Sequence, residues 1–178
     1  DMVMLNDPYL GGTHLPDVTL IAPLFIENEL VSFIVNRAHH ADIGAEAPGS
    51  MPVSSSLLEE GVVIAPSKLL VNGQIDQLIF DALLQQLNNT EESKGDFNAQ
   101  ISANRRGLER LQSLVQSMGL QAYQQGLQSL NHYAAALAKK SLQQIPDGEY
   151  SFTDVMDDDG QGQSQIAIKV TLTVSSGR

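Results

Sequence analysis

The chain has 178 residues, 42% of them hydrophobic, and a formal net charge of −11. That is enough apolar material for a domain-sized core, while an acidic balance repels phosphate backbones and argues against nucleic acid as a partner. There is no Cys and no Trp, so disulfides are impossible and any metal must be held by nitrogen and oxygen.

No apolar run is long enough to span a membrane, and no charged segment followed by an apolar one opens the chain. The missing Cys fits a reducing compartment, so a cytoplasmic location is expected. Arg105, Arg106 and Arg110 form the one candidate basic patch and read as a solvated helix face.

In chain order, Met2 to Leu5 reads as a strand that starts almost at the first residue. Asn6 to Gly12 is dense in turn formers. Val18 to Ile26 and Leu30 to Val35 are apolar runs separated by Glu27-Asn28-Glu29, which predicts a hairpin with strands buried on both faces. A loop-rich stretch follows from His39 to about Ser56. Loops of this length inside a compact domain are usually functional or disordered, and two His and an Asp at its head favour function. Leu57 to Gly61 and Val62 to Ile64 read as a short turn and a strand.

The middle predicts helices. Leu78, Ile79, Ala82, Leu83 and Leu87 recur at helical spacing. Asp96 is placed to cap a second helix, which Gly119 ends. A third runs from about Leu120 to Gln144 and stops at Pro146-Asp147-Gly148. The chain then returns to strand over Tyr150 to Phe152. Ile166, Ile168, Val170, Leu172 and Val174 alternate with smaller or polar residues, as in a strand with one buried face. The expected fold class is α+β: a mixed or antiparallel sheet from both ends of the chain with a central helical segment. The parts are β-rich over 1–74, helical over 75–145 and β again over 146–178. A strand at each tip suggests a piece of something longer.

Of the four His, His14 stands just before the second strand and His39-His40 close the third. If those strands pair antiparallel, the start of one lies beside the end of the other. That brings together His14, Asp17 and either His39 or His40. Two imidazoles and a carboxylate without thiolate suit Zn, Mn or Fe(II), which would activate water and polarise a substrate oxygen. The spare His and Asp42 are then candidates for orienting or proton-transfer work. Against this, adjacent His pairs are common and a His at a strand end is often only a hydrogen-bonded neutral group. His132 stands mid-helix and reads as structural. Asp157-Asp158-Asp159-Gly160 lacks the alternating acidic positions of a calcium loop and reads as a solvated turn. Ser54 to Ser56 have no visible base.

Longer strings carry more. Asn6-Asp7-Pro8-Tyr9, Gly11-Gly12-Thr13-His14-Leu15-Pro16-Asp17, Arg37-Ala38-His39-His40-Ala41-Asp42, Pro48-Gly49-Ser50-Met51-Pro52 and Glu59-Glu60-Gly61 follow one another. Gly95-Asp96, Ala99-Gln100, Asn104-Arg105, Arg110-Leu111 and Pro146-Asp147-Gly148 continue the order. Together they resemble the hydantoinase B/5-oxoprolinase family over nearly the whole chain.

The resemblance implies a subunit several times longer than this chain, working with an ATP-using A-type partner. That partner phosphorylates the substrate, and the B-type site opens a hydantoin or 5-oxoproline-type lactam at a metal centre. Carried over, it places metal ligands at His14, Asp17 and His39 and leaves proton handling to His40 or Asp42. A further acidic ligand of the family lies upstream of Asn6, so this piece is expected to be inactive alone. The Asn6-Asp7 turn is expected to scaffold the ligand loop. ATP enters through the partner, and self-association into an oligomer is expected. The motifs do not separate hydrolysis from the acetone or acetophenone carboxylase branch, and a non-catalytic interaction piece is the remaining alternative.

Overall fold

A computed structural model describes residues 1–49 and 52–175. Ser50 and Met51 of the Pro48 to Pro52 string, and residues 176–178, lie outside the described residues. The chain forms two compact units, Asp1–Leu114 and Val115–Arg178.

The first unit is built on a five-stranded antiparallel sheet. Its strands are β1 (Met2–Leu5), β2 (Asp17–Ile26), β3 (Glu29–His39), β4 (Ser67–Val71) and β5 (Gln74–Ile75), in spatial order β3-β2-β1-β4-β5. The expected hairpin is present: β2 and β3 pair from Ile26 opposite Glu29 to Asp17 opposite His39. Glu27 and Asn28 both take positive φ, the geometry a two-residue hairpin turn needs to match strand twist. Asn72-Gly73 makes the same turn between β4 and β5.

Two readings of these strands are corrected. β2 is buried, with Val18, Leu20 and Ala22 at the core, but β3 is the sheet's edge, and Phe33 and Val35 are exposed. Val62 to Ile64 is not a strand. Ile64 instead spends its amide on the Asn6 side chain and its carbonyl on the amides of Asn6 and Asp7. The paired strand comes later, as β4.

Helix α1 (Gln77–Leu84) is capped by Asp76, which accepts from the Ile79 amide. Helix α2 (Thr90–Met118) begins before the expected Asp96, which lies inside it. Acidic Glu91 and Glu92 suit its positive end. Phe97 and Ile101 of α2 join Met4, Leu20, Leu69, Phe80 and Leu84 in one apolar core.

The second unit holds the end of α2, helix α3 (Leu120–Leu142) and a hairpin of β6 (Gly148–Asp158) and β7 (Ser164–Val174). Gly119 separates the helices at a φ of 84°. The expected buried face of β7 is corrected too: Ile168, Val170 and Leu172 are exposed.

Candidate metal centre

The ligand loop is fixed from beneath. Asn6 is fully buried and uses its whole amide group: Nδ2 donates to the Leu15 and Val62 carbonyls, and Oδ1 accepts from the Ile64 amide. Leu15 is driven into the core and Pro16 is buried beside it, while His14 and Asp17 on either side of that pair stay half-buried. The Asp17 amide donates to the His14 carbonyl at 2.8 Å, closing a turn that sets both side chains at the head of β2. At Gly12 a Cβ would fall onto the Asn6 carbonyl, so only glycine passes there.

The antiparallel register then places His39, the last residue of β3, opposite Asp17. The His39 Nδ1 lies 3.0 Å from Asp17 Oδ1, and the His14 Nδ1 lies 3.9 Å from Asp17 Oδ2. The two imidazole centroids are 5.4 Å apart. One ligand atom from each of His14, Asp17 and His39 falls within 4.8 Å of the others. Metal–nitrogen and metal–oxygen bonds of about 2.0–2.2 Å put opposed ligand atoms about 4 Å apart, so small side-chain rotations would let the trio hold one ion.

The second nitrogen of His39 supports that fit. Its Nε2 faces the Gly49 carbonyl at 3.3 Å, and a carbonyl can only accept. With the proton on Nε2, the Nδ1 lone pair faces the Asp17 carboxylate. Either a second ring proton or a cation reconciles them. A carbonyl that fixes the tautomer of a ligating imidazole is the usual outer support of a metal site. All three side chains remain partly open to solvent, leaving room for substrate.

His40 and Asp42 sit elsewhere. His40 is 1% exposed, packs its ring at a tilt against Phe97 with centroids 4.5 Å apart and meets Gln100 Oε1 through Nε2 at 2.8 Å. Asp42 accepts from the Asn89 and Gly44 amides, Asn88 Nδ2 and Ser93 Oγ. Burial pushes its carboxyl upward, but those four donors outweigh it and hold the group below its ordinary value. It ties the loop after β3 to the start of α2. Neither residue belongs to the trio.

Two residues matter more than their chemistry alone suggested. Gln100 Nε2 donates to the Val18 carbonyl and to Asn36 Oδ1, while Asn104 Nδ2 donates to the Leu20 carbonyl. Polar side chains four apart on an otherwise apolar helix face were the available signal, because a buried amide needs partners.

The fold and site together define an antiparallel β platform with a two-histidine, one-carboxylate cluster at one end. The model of the Hydantoinase B/oxoprolinase family matches residues 1–178, and the chain belongs to that family. It is 32% identical to the B-type component of a putative D-/L-hydantoinase from a Pseudomonas species, over 98% of this chain and 30% of that protein. It is 33% identical to a 5-oxoprolinase of Dictyostelium discoideum, over 97% of this chain and 14% of that one. The crystal structure of the ATP-dependent caprolactamase from Pseudomonas jessenii superposes with a TM-score of 0.91 at 30% identity, over 98% of this chain and 30% of its own. A nucleotide-free acetone carboxylase shares the fold, with a TM-score of 0.78 at 19% identity, over 99% of this chain and 25% of that one. The chain thus spans less than a third of each.

Proposed function

We propose that His14, Asp17 and His39 hold a divalent cation (Zn, Mn or Fe) and that this site serves the ring-opening hydrolysis of a cyclic amide. The mutual approach of three ligand atoms to within 4.8 Å carries the reading. The names of the relatives, a hydantoinase, an oxoprolinase and a caprolactamase, support the substrate class.

A bound cation would supply Lewis acidity toward a substrate oxygen and lower the pKa of water. The chain's own part is placement. Asn6 and Leu15 fix the loop, the register of β2 and β3 sets Asp17 against His39, and the Gly49 carbonyl stands 3.3 Å from the other His39 nitrogen, where it would accept the ring proton of a ligating imidazole. An unstrained lactam is a weak electrophile, so an ATP-using A-type partner would phosphorylate its oxygen first. The partner and the B-type site then divide activation and hydrolysis between them.

Calorimetric titration with Zn and Mn tests the site. One equivalent should bind. His14→Ala and His39→Ala should each lose at least about a hundredfold in affinity, since losing even an outer-shell partner costs about 10–100-fold. Equal metal uptake by all three proteins would refute the metal centre.

A further inference from the structure

Arg37 stands two residues before His39 on β3 and opposite Thr19 of β2, while His39 stands opposite Asp17. Side chains two apart on a strand share a face and sit about 7 Å apart. Arg37 therefore projects from the face that carries the trio.

Its guanidinium is held in place: Nε donates to Thr19 Oγ1 at 2.9 Å, one terminal nitrogen to Thr13 Oγ1 at 3.1 Å and the other to the Gly11 carbonyl at 3.4 Å. Thr13 immediately precedes His14.

Every one of those acceptors is neutral. Among the described residues Arg37 enters no ion pair, although acidic residues outnumber basic ones by 21 to 10. Asp17, two residues along β2 from the Thr19 that faces Arg37, is turned to His39 instead. A guanidinium has five N–H donors, and three are used, so two donors and an uncompensated charge are left. Exposed arginines usually wave in solvent, but this one is pinned in three directions beside a candidate ligand cluster. A fixed planar fork of this kind suits an oxyanion.

We propose that Arg37 binds an oxyanion of the substrate, a phosphoryl or a carboxylate group, and so sets which ring atom faces the trio. The proposal rests on the metal-centre reading for its role in the reaction, but the anion site stands on Arg37 alone. A phosphoryl group would come from an activated lactam oxygen, a carboxylate from an acid substituent on the ring. The same fork serves both.

The test is titration with methyl phosphate and with acetate, using metal-free and Zn-loaded protein, with wild type, Arg37→Gln and Arg37→Lys. Wild type should bind at least one of the two anions, and whichever binds more tightly identifies the source. Arg37→Gln should weaken that binding by at least about tenfold, the worth of one charge-assisted contact. Arg37→Lys, which keeps the charge but loses the fork, should fall in between; it also decides the matter if the glutamine variant unfolds. Zn affinity should stay within about twofold in both variants. Failure of wild type to bind either anion, or unchanged anion affinity in Arg37→Lys or in a folded Arg37→Gln, overturns the proposal. Zn uptake is read separately: a wild type that binds anion through Arg37 but takes up no Zn refutes the metal centre and leaves the anion site in place.

Discussion

At the scale of single residues, the platform behind the trio depends on amides that have no spare capacity. Both Gln100 Nε2 protons are committed, to the Val18 carbonyl and to Asn36, so Oε1 must accept from His40. That fixes His40 with its proton on Nε2 and leaves Nδ1 bare, in agreement with the unpartnered state of that atom. Nitrogen-15 spectra should find the Nε2–H tautomer. Gln100→Leu should leave the buried His40 Nε2 proton without its acceptor and cost roughly 1–3 kcal/mol in urea unfolding. A loss below about half a kcal/mol would show that the network contributes nothing. Asp42 adds a pH dependence of known sign. Its folded pKa is depressed below 3.8, so its contribution is complete above the unfolded value and is lost as pH falls through the folded one. The stability gap between wild type and Asp42→Asn should therefore be flat from neutrality to about pH 4 and shrink below it. A gap that persists undiminished at the lowest pH where the protein folds would contradict the hydrogen-bonded hub.

At the scale of elements, helix α2 approaches β3 closely because Gly107 has no side chain. A Cβ there would lie 2.7 Å from Ile34 Cγ2 and 3.4 Å from its Cγ1, and a branched residue cannot swing that methyl away. Gly107→Ala should thus destabilise by about 1–3 kcal/mol from overpacking, less up to about 1 kcal/mol of helix propensity regained. Combining it with Ile34→Ala should recover most of the loss, and strict additivity in that double-mutant cycle would reject the contact. How far these elements were legible follows from the same physics. The apolar, turn-bounded β2–β3 hairpin announces itself locally, and its antiparallel pairing predicts that residues 14 and 17 meet either 39 or 40. β4 does not: Ser67 to Val71 is no more strand-like than Val62 to Ile64, and the choice is made by Asn6, which captures Ile64. The Asn72-Gly73 turn was the overlooked clue, as an Asn-Gly pair flanked by apolar residues is a strong hairpin signal. Between His39 and His40 sequence could not choose. Alternation along a strand points neighbours to opposite faces, and only the position of α2 decides which face is the core.

At the scale of the whole molecule, the apolar pattern of the last third finds no cover among the described residues. Pairing of β6 with β7 sets Tyr150 opposite Leu172, Phe152 opposite Val170 and Met156 opposite Ile166, so alternate residues build one apolar face. Phe152 is 71% exposed and Val170 62%. Leu127, Leu130 and Leu137 of α3 are exposed as well. Burial of such side chains is worth about 1.5–3 kcal/mol each, and contiguous apolar patches of this kind drive association. The polypeptide should therefore self-associate in a concentration-dependent way, read by light scattering coupled to size exclusion. Phe152→Ser with Val170→Thr should lower the associated fraction. Thr153→Ser, on the polar face of the same hairpin, should leave it unchanged. Because the hairpin's own hydrogen bonds run between backbones, the double variant should keep its strand signal in circular dichroism. A wild type that stays monodisperse and monomeric over a wide concentration range would mean that the alternation in β7 reflects strand propensity rather than a face built to be covered.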